Sequence, residues 1–167
     1  MPRVRVVVAV AFIVAVLLAG CAAPSQMTGP SDAPMWRGRL AVRVEADALP
    51  SQPQSFSAAF ELTGTPLAGE LTLFTPLGTT AAALSWSTQT AVMRSNGNIR
   101  TFESLDALIK QALGTDIPVT ALFAWLAGDN VQVAGWRADL TQHADGRITA
   151  RRTEPTPVAE LRLVLEK

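Results

Sequence analysis

Apolar and polar residues alternate along two stretches of the N-terminal half of the chain. In residues 36–49 (WRGRLAVRVEADAL), tryptophan, leucine and valine occupy one face and arginines the other. Residues 55–64 (SFSAAFELTG) alternate in the same way, with Phe56 and Phe60 on the apolar face. A period of two is typical of a strand with one buried face. The pattern therefore predicts two half-buried strands, joined by a loop at residues 49–54.

A hairpin with an unusual turn is predicted next. Residues 69–75 (GELTLFT) and 79–87 (TTAAALSWS) flank the sequence TPLG at 75–78. That sequence fits a type I β-turn, which favours proline at its second position and glycine at its fourth. Leu77 would then lie at the apex of the turn, where side chains usually face water.

A second hairpin is followed by a change of period. Residues 91–95 (AVMRS) and 99–102 (IRTF) flank NGN at 96–98, and Asn-Gly is a strong hairpin signal. In residues 104–114 (SLDALIKQALG) and 118–128 (PVTALFAWLAG), apolar residues recur at helical spacing. Serine or proline stands at the start of each segment and glycine at its end, which predicts two short helices.

The C-terminal part returns to strands. They are predicted at residues 135–142, 147–152 and 159–167, with a turn at 143–146 (HADG) between the first two. About five strands, two short helices and then three or four strands make an α+β pattern. We expect a strongly curved antiparallel sheet with short helices over its concave face.

The N-terminus has the pattern of a lipoprotein signal. Two arginines precede an apolar run at residues 6–18 (VVVAVAFIVAVLL). That run is shorter than the roughly 20 residues a membrane-spanning helix needs. It ends in LAGC, whose last residue, Cys21, is the single cysteine and completes a bacterial lipobox. In such signals cleavage precedes the cysteine, which receives a diacylglycerol and an N-acyl chain. A soluble periplasmic protein with a chance cysteine is the alternative.

These features divide the chain into three parts. We interpret residues 1–20 as the lipoprotein signal peptide, 21–35 as the lipidated cysteine with a flexible tether, and 36–167 as a single domain. The tether is rich in proline, serine and glycine. Ala22 follows the cysteine, and by resemblance to bacterial sorting rules the absence of aspartate there favours the outer membrane.

The composition supplies little for catalysis, metal binding or nucleic-acid binding. The 14 basic and 14 acidic residues include no basic block, which argues against a nucleic-acid partner. The single histidine, His143, starts the HADG turn and is expected to be solvated. The chain has no nucleophile elbow, P-loop or zinc-protease motif. We expect neither an enzyme nor a metal site, and no cofactor beyond the acyl groups on Cys21.

Three segments together resemble a known family. They are WRGRLAV at 36–42, LTLFTPLGTTAAAL at 71–84 and SLDALIKQALGTDIPVTALFAWLAG at 104–128. The most specific pieces are TPLGTT at 75–80 and the pattern IPV…L..WL.G at 117–128. With the lipobox and tether, this combination resembles the LolB family, and the C-terminal strands resemble it only weakly.

The resemblance implies an unclosed antiparallel β-barrel with a helical lid over an apolar cavity that takes up acyl chains. It also implies an outer-membrane receptor, lipid-anchored at the periplasmic face. Such a receptor accepts client lipoproteins from a periplasmic carrier similar to LolA and inserts them into the membrane without nucleotide or metal. We expect it to act as a monomer.

Candidate site residues follow from the pattern and the resemblance together. Pro76, Leu77 and Gly78 are expected to form a loop that dips into the membrane. The residues expected to line the acyl-chain cavity are Leu40, Val42, Phe56, Phe60, Leu62, Leu71, Leu73, Leu84, Trp86, Leu108, Ile109, Leu122 and Trp125. A packed core is the alternative interpretation, because apolar faces look alike in a sequence whether the space between them is full or hollow.

Two rival functions stay open at this point. A structural outer-membrane lipoprotein, acting as a scaffold, would have a filled core and no affinity for acylated peptide. An acyl-handling enzyme would need a catalytic base inside the cavity, and His143 is the natural candidate. For Arg37, Arg39 and Arg43, a solvated strand face and a docking surface for the carrier are both consistent with the sequence.

Overall fold

The computed structural model describes residues 33–46 and 54–167. The predicted signal peptide, Cys21 and nearly all of the tether lie outside the described residues, as does most of the predicted loop at 49–54. The strands are β1 (Met35–Val44), β2 (Gln54–Gly64), β3 (Gly69–Phe74), β4 (Thr80–Trp86), β5 (Ala91–Ser95), β6 (Asn98–Phe102), β7 (Trp136–Asp139), β8 (Arg147–Arg152) and β9 (Ala159–Leu165). The helices are α1 (Leu105–Leu113) and α2 (Val119–Ala127), and a single 3₁₀ turn covers His143–Asp145.

All nine strands form one antiparallel sheet in the order β6-β5-β4-β3-β2-β1-β9-β8-β7. The edge strands β6 and β7 are not paired with each other, so the sheet is not closed. This confirms the predicted α+β fold of an unclosed, curved antiparallel sheet with short helices. The C-terminal strand β9 lies in the middle of the sheet, between β1 and β8.

Alternation places one face of each central strand in the core. In one row of the sheet, Ala58 on β2, Leu40 on β1, Leu163 on β9 and Ile148 on β8 lie side by side, and all four are buried. Next to this row, β9 approaches Gly38 so closely that a Cβ atom there would overlap the carbonyl oxygen of Val164. The alternating pattern thus fixes which face is buried, and a glycine permits the close packing of β1 on β9.

The two helices lie over the buried face of the sheet. Ser104 accepts a hydrogen bond from the Ala107 amide at 3.1 Å and so caps α1. Gly114 and Gly128 end the helices in the left-handed conformation, at φ +79° and +93°. Within the described residues, neither helix has the length and apolar character to cross a membrane.

The connections divide between two ends of the sheet. We call one the Leu77 end: it carries the β3–β4 turn, the β5–β6 turn and the β8–β9 connection. The α1–α2 connection lies there too, because the Asp116 carbonyl accepts a hydrogen bond from Arg152 at the end of β8. The opposite end, with the β2–β3, β4–β5 and β7–β8 turns, we call the Trp86 end.

Candidate functional site

An enclosed apolar space lies between the helices and the sheet. Its volume is about 30 Å³, and side chains from β1 to β4, β9 and both helices surround it. The lining residues are Leu40, Phe60, Leu62, Leu71, Trp86, Ile109, Leu113, Ile117, Val119, Leu122, Phe123, Leu126, Leu161 and Leu163. Ligand pockets usually measure about 300–1,000 Å³, so the interior is nearly filled in this conformation.

The structure brings all the predicted cavity residues onto the buried side of the sheet or into the helices, but it does not place all of them around this space. Seven line it: Leu40, Phe60, Leu62, Leu71, Trp86, Ile109 and Leu122. Leu73, Leu84, Leu108 and Trp125 are at most 2% exposed and pack elsewhere in the core. Whether the seven contact acyl chains stays a prediction.

Seven lining residues were absent from the predicted set. They are Leu113, Ile117, Val119, Phe123, Leu126, Leu161 and Leu163. Leu113 and Leu126 continue the apolar faces of the two helices, so the helical period was a usable signal for them. Leu161 and Leu163 could be predicted as lining residues only if the pairing of β9 with β1 were known. That pairing joins residues far apart in the sequence.

A groove opens at the Leu77 end, beside the apolar interior. Its volume is about 220 Å³, and it lies between the last turn of α1 and the adjoining ends of β1 and β2. Val42 and Phe56, which were predicted to line the cavity, line this groove instead. Leu113 borders both the groove and the interior space. Leu113, a buried residue, is thus the one lining residue that the interior and the groove have in common.

The β3–β4 turn holds Leu77 away from the core. The Gly78 amide donates to the Thr75 carbonyl at 2.9 Å, the bond expected for the predicted β-turn, and Gly78 has φ +80°. The Thr75 amide donates to the Thr79 carbonyl at 2.8 Å, and their hydroxyls lie 2.8 Å apart. Pro76 and Gly78 are exposed, and Leu77 is 91% exposed. The predicted exposure of Leu77 is confirmed, while its contact with a membrane stays a prediction.

The surroundings of His143 differ from the sequence-based expectation that this side chain is solvated. It is half-buried rather than solvated, and its Nε2–H donates to the Leu126 carbonyl at 3.1 Å, at the end of α2. Its ring packs on Gly128. The acceptor of this hydrogen bond lies 17 residues earlier in the chain, so the sequence around His143 does not indicate it. The HADG turn alone therefore predicted a solvated side chain.

The chemistry around the interior space is apolar throughout. His143 does not line it, and every residue that does has an apolar side chain or the indole of Trp86. The Trp86 indole N–H is already bonded to the Thr65 carbonyl at 3.0 Å. Among the described residues no cluster of histidine, cysteine, aspartate or glutamate has the makings of a metal site. The arrangement can bury apolar groups and offers no base for acyl chemistry.

The charged groups lie away from this space. Arg37 pairs with Glu61 at 3.0 Å on the outer face of the sheet, and Arg39 and Arg43 are exposed on the same face. Hydrogen bonds from the Thr141 amide and hydroxyl lower the pKa of Asp139. These groups are solvated, and a role of the three arginines in docking a carrier stays a prediction.

Comparison with known proteins shows the family of this chain. The family model described as "Outer membrane lipoprotein LolB" matches residues 35–158 and ends one residue before β9. The outer-membrane lipoprotein LolB of Bordetella petrii is 27% identical over 90% of this chain and 87% of its own length. LolB of Bordetella pertussis is 38% identical over 70% of this chain and LolB of Shewanella loihica 31% over 66%. The chain spans 59% and 52% of the length of these last two proteins. The chain belongs to the LolB family of outer-membrane lipoproteins.

Proposed function

We propose that this protein is an outer-membrane receptor for other lipoproteins. In this proposal residues 1–20 are removed, Cys21 carries the acyl chains that anchor the protein at the periplasmic face, and residues 36–167 form one lipid-binding domain. The receptor accepts a lipoprotein from a LolA-like carrier, holds its acyl chains beneath the helices and inserts them into the membrane. The single observation that carries the proposal is that Leu77, the most exposed leucine of the described residues, is fixed at the end where Leu113 borders both the apolar interior and a groove.

Uptake requires the interior to expand. A space of about 30 Å³ holds little more than one water molecule, whereas an acyl chain has more than ten methylene groups. The helices are the elements able to move, since displacing them breaks no strand pairing of the sheet. In this account α1 shifts at its last turn, Leu113 moves aside, and the interior and the groove become one apolar channel.

Leu77 supplies a contact with the membrane. The hydrogen bonds across its turn prevent the side chain from folding back onto the sheet. Burying a leucine side chain contributes about 1.5–3 kcal/mol. That is enough to bring the Leu77 end against the bilayer interface for a short time, and too little to insert the domain.

Transfer in this scheme needs no nucleotide. Each buried methylene contributes about 0.8 kcal/mol, so a bilayer holds several acyl chains far more strongly than a single domain can. The receptor needs only an affinity higher than that of the carrier and lower than that of the membrane. An apolar site without catalytic groups, which fits a protein that is not an enzyme, is sufficient for this step.

A scaffold function is the second candidate, and one observation favours it. The interior is almost filled, as expected for a structural lipoprotein that docks envelope components through its sheet edges. Such a protein would use the helices as permanent core elements. It would show no affinity for an acylated N-terminus.

Binding of an acylated lipoprotein separates the two candidates. The mature chain with Cys21→Ser would be mixed with a carrier loaded with a lipoprotein and then analysed by gel filtration without nucleotide. We expect the lipoprotein to leave the carrier and co-elute with the chain. A non-acylated version of the same lipoprotein is the control and is expected to elute alone. If the acylated lipoprotein stays on the carrier, the receptor proposal is wrong and the scaffold function gains support.

A further inference from the structure

A buried arginine ends strand β8 at the Leu77 end. Burial alternates along β8, and Arg152 lies on the inner face with Ile148 and Ala150, at 6% exposure. Its Nη2 donates to the Pro157 carbonyl at 3.1 Å and its Nη1 to the Asp116 carbonyl at 3.4 Å. Its Nε–H has no hydrogen-bond partner among the described residues.

A second unpartnered group lies in the chain segment that Arg152 contacts. Thr115, just before Asp116 in the α1–α2 connection, is 3% exposed, and its hydroxyl has no hydrogen-bond partner within the part of the chain that the structure describes. Arg152 Nε and Thr115 Oγ1 are the two such buried side-chain atoms found among the residues described. Leaving a buried polar group without a partner is unfavourable, because the group has lost its hydrogen bonds to water. Both unpartnered groups lie where the connection between the helices meets β8.

The position of these two groups relates them to the apolar interior. Arg152 pairs with Ala159, and the next inner row of the sheet pairs Ala150 with Leu161, which lines the interior space. Rows on one face of a strand are about 7 Å apart. Asp116 is followed directly by Ile117, which also lines that space. Arg152 thus lies one row beyond the interior, towards the Leu77 end, and Thr115 lies two residues before Ile117 in the connection at that same end.

We infer that Arg152 and Thr115 form a polar site at the mouth of the apolar interior, for the ester and amide carbonyl oxygens of an acylated N-terminal cysteine. This inference rests on the proposed function. When the acyl chains of a lipoprotein are buried, the carbonyl groups that join them to glycerol and cysteine leave water and need donors. Arginine has five N–H donors and accepts none, and a threonine hydroxyl also donates.

The surroundings of Arg152 favour an uncharged acceptor over an anion. The Asp116 carboxylate lies 3.9 Å from the guanidinium, which balances part of its charge. The centroid of the Trp136 ring lies 5.7 Å from the Arg152 guanidinium carbon. A phosphate at this position would meet the Asp116 carboxylate, whereas a carbonyl oxygen would accept from Nε–H without that repulsion.

Two probes test the inference on the mature chain with Cys21→Ser. One is a peptide with a tripalmitoylated N-terminal cysteine, which carries ester and amide carbonyls. The other is the same peptide with only an S-hexadecyl chain and no acyl carbonyl. For Arg152→Met we expect the ratio of the two affinities to fall at least about tenfold, as for a lost hydrogen bond to a charged donor. Thr115→Val, which keeps the side-chain shape, is expected to lower the ratio about threefold.

Arg151→Met is the matched control, since Arg151 is exposed on the outer face and pairs with Glu45 at 3.4 Å. It is expected to leave the affinity for both probes unchanged. An unchanged ratio in both Arg152→Met and Thr115→Val would overturn the inference. If the unsubstituted chain binds neither probe, the proposed function fails as well. Binding with an unchanged ratio overturns only the carbonyl site.

Discussion

The tripeptide Thr-Pro-Leu occurs in two turns of this protein, at opposite ends of the sheet. Residues 65–67 make the β2–β3 turn at the Trp86 end, and residues 75–77 make the β3–β4 turn at the Leu77 end. Both leucines are exposed, Leu67 at 68% and Leu77 at 91%. The first turn is tied to the sheet, because the Trp86 indole donates to the Thr65 carbonyl at 3.0 Å. The second projects beyond the sheet on its own hydrogen bonds.

The surroundings of the two turns explain the difference between them. At the Trp86 end the Phe123 ring lies edge-on to Trp36 and Trp86, with ring centroids 5.6 and 6.3 Å away. His143 ties the end of α2 to the β7–β8 turn. The Leu77 end instead has a groove, which shares Leu113 with the interior, and two polar groups without a partner among the described residues. The Trp86 end is held by more aromatic and hydrogen-bonded contacts, and in our proposal the Leu77 end is the one that opens. The same tripeptide is therefore a structural turn at one end and a functional candidate at the other.

Removing an aromatic ring at the Trp86 end should cause the largest loss of stability. Trp86 is 6% exposed and contacts Phe123 from the sheet side. Trp86→Ala is expected to lower the free energy of unfolding by about 3–5 kcal/mol, the usual cost of deleting a buried tryptophan. Urea denaturation followed by circular dichroism measures it. A loss below about 1 kcal/mol would show that this end does not hold the lid in place.

Leu113→Ala should weaken the barrier at the Leu77 end. We expect a loss of about 2–4 kcal/mol in unfolding free energy, from a deleted core leucine, together with faster uptake of an acylated peptide. Stopped-flow fluorescence with a labelled tripalmitoyl peptide measures the rate. Leu84→Ala is the matched control, since Leu84 is equally buried but borders neither the groove nor the interior space. Equal acceleration in both variants would mean that general loosening, and not the barrier, sets the rate.

His143→Ala should have a smaller effect, confined to the Trp86 end. Losing one hydrogen bond to the Leu126 carbonyl is expected to cost about 0.5–1.5 kcal/mol. Lipoprotein uptake and insertion should stay unchanged, because His143 does not line the interior. Thermal unfolding and a transfer assay check the two halves of this prediction. Loss of transfer in a stably folded variant would revive the enzyme hypothesis.

Leu77→Glu should leave stability almost unaffected. The side chain is 91% exposed and contributes nothing to the core, so the unfolding free energy is expected to change by less than about 0.5 kcal/mol. Urea denaturation is again the measurement. If the variant unfolds, Leu77 belongs to the core in solution and the comparison of the two turns is wrong.

Local patterns predicted the elements well. β1 ends at Val44, although the alternating pattern predicted a strand to residue 49. The other strand and helix bounds fell within about three residues, because alternation, the Asn-Gly turn, Ser104 and the terminal glycines are all short-range signals. The exposure of Leu77 followed from turn chemistry alone. In contrast, the place of β9 beside β1 depends on a pairing across more than a hundred residues, and the partner of His143 lies in another element.

The site was predicted less completely than the fold. Thirteen candidates were chosen from apolar faces, but Leu73 and Leu84 pack in the core while their neighbours Leu71 and Trp86 line the interior space. Those four residues have the same period in the sequence. Whether a buried side chain borders a space depends on how the helices sit on the sheet, which no local pattern contains. Arg152 is a similar case, since a strand arginine normally faces solvent.

Insertion of a lipoprotein by the two leucine variants tests the central claim most directly. The lipidated protein in phospholipid vesicles would receive a lipoprotein from a loaded LolA-like carrier without nucleotide, and membrane-inserted lipoprotein would be measured over time. We expect the unsubstituted protein and Leu67→Glu to insert at the same rate. Leu77→Glu should accept the lipoprotein but insert it at least about tenfold more slowly, because one leucine's membrane contact is lost. Equal rates for all three proteins, or equal impairment of both variants, would contradict the account.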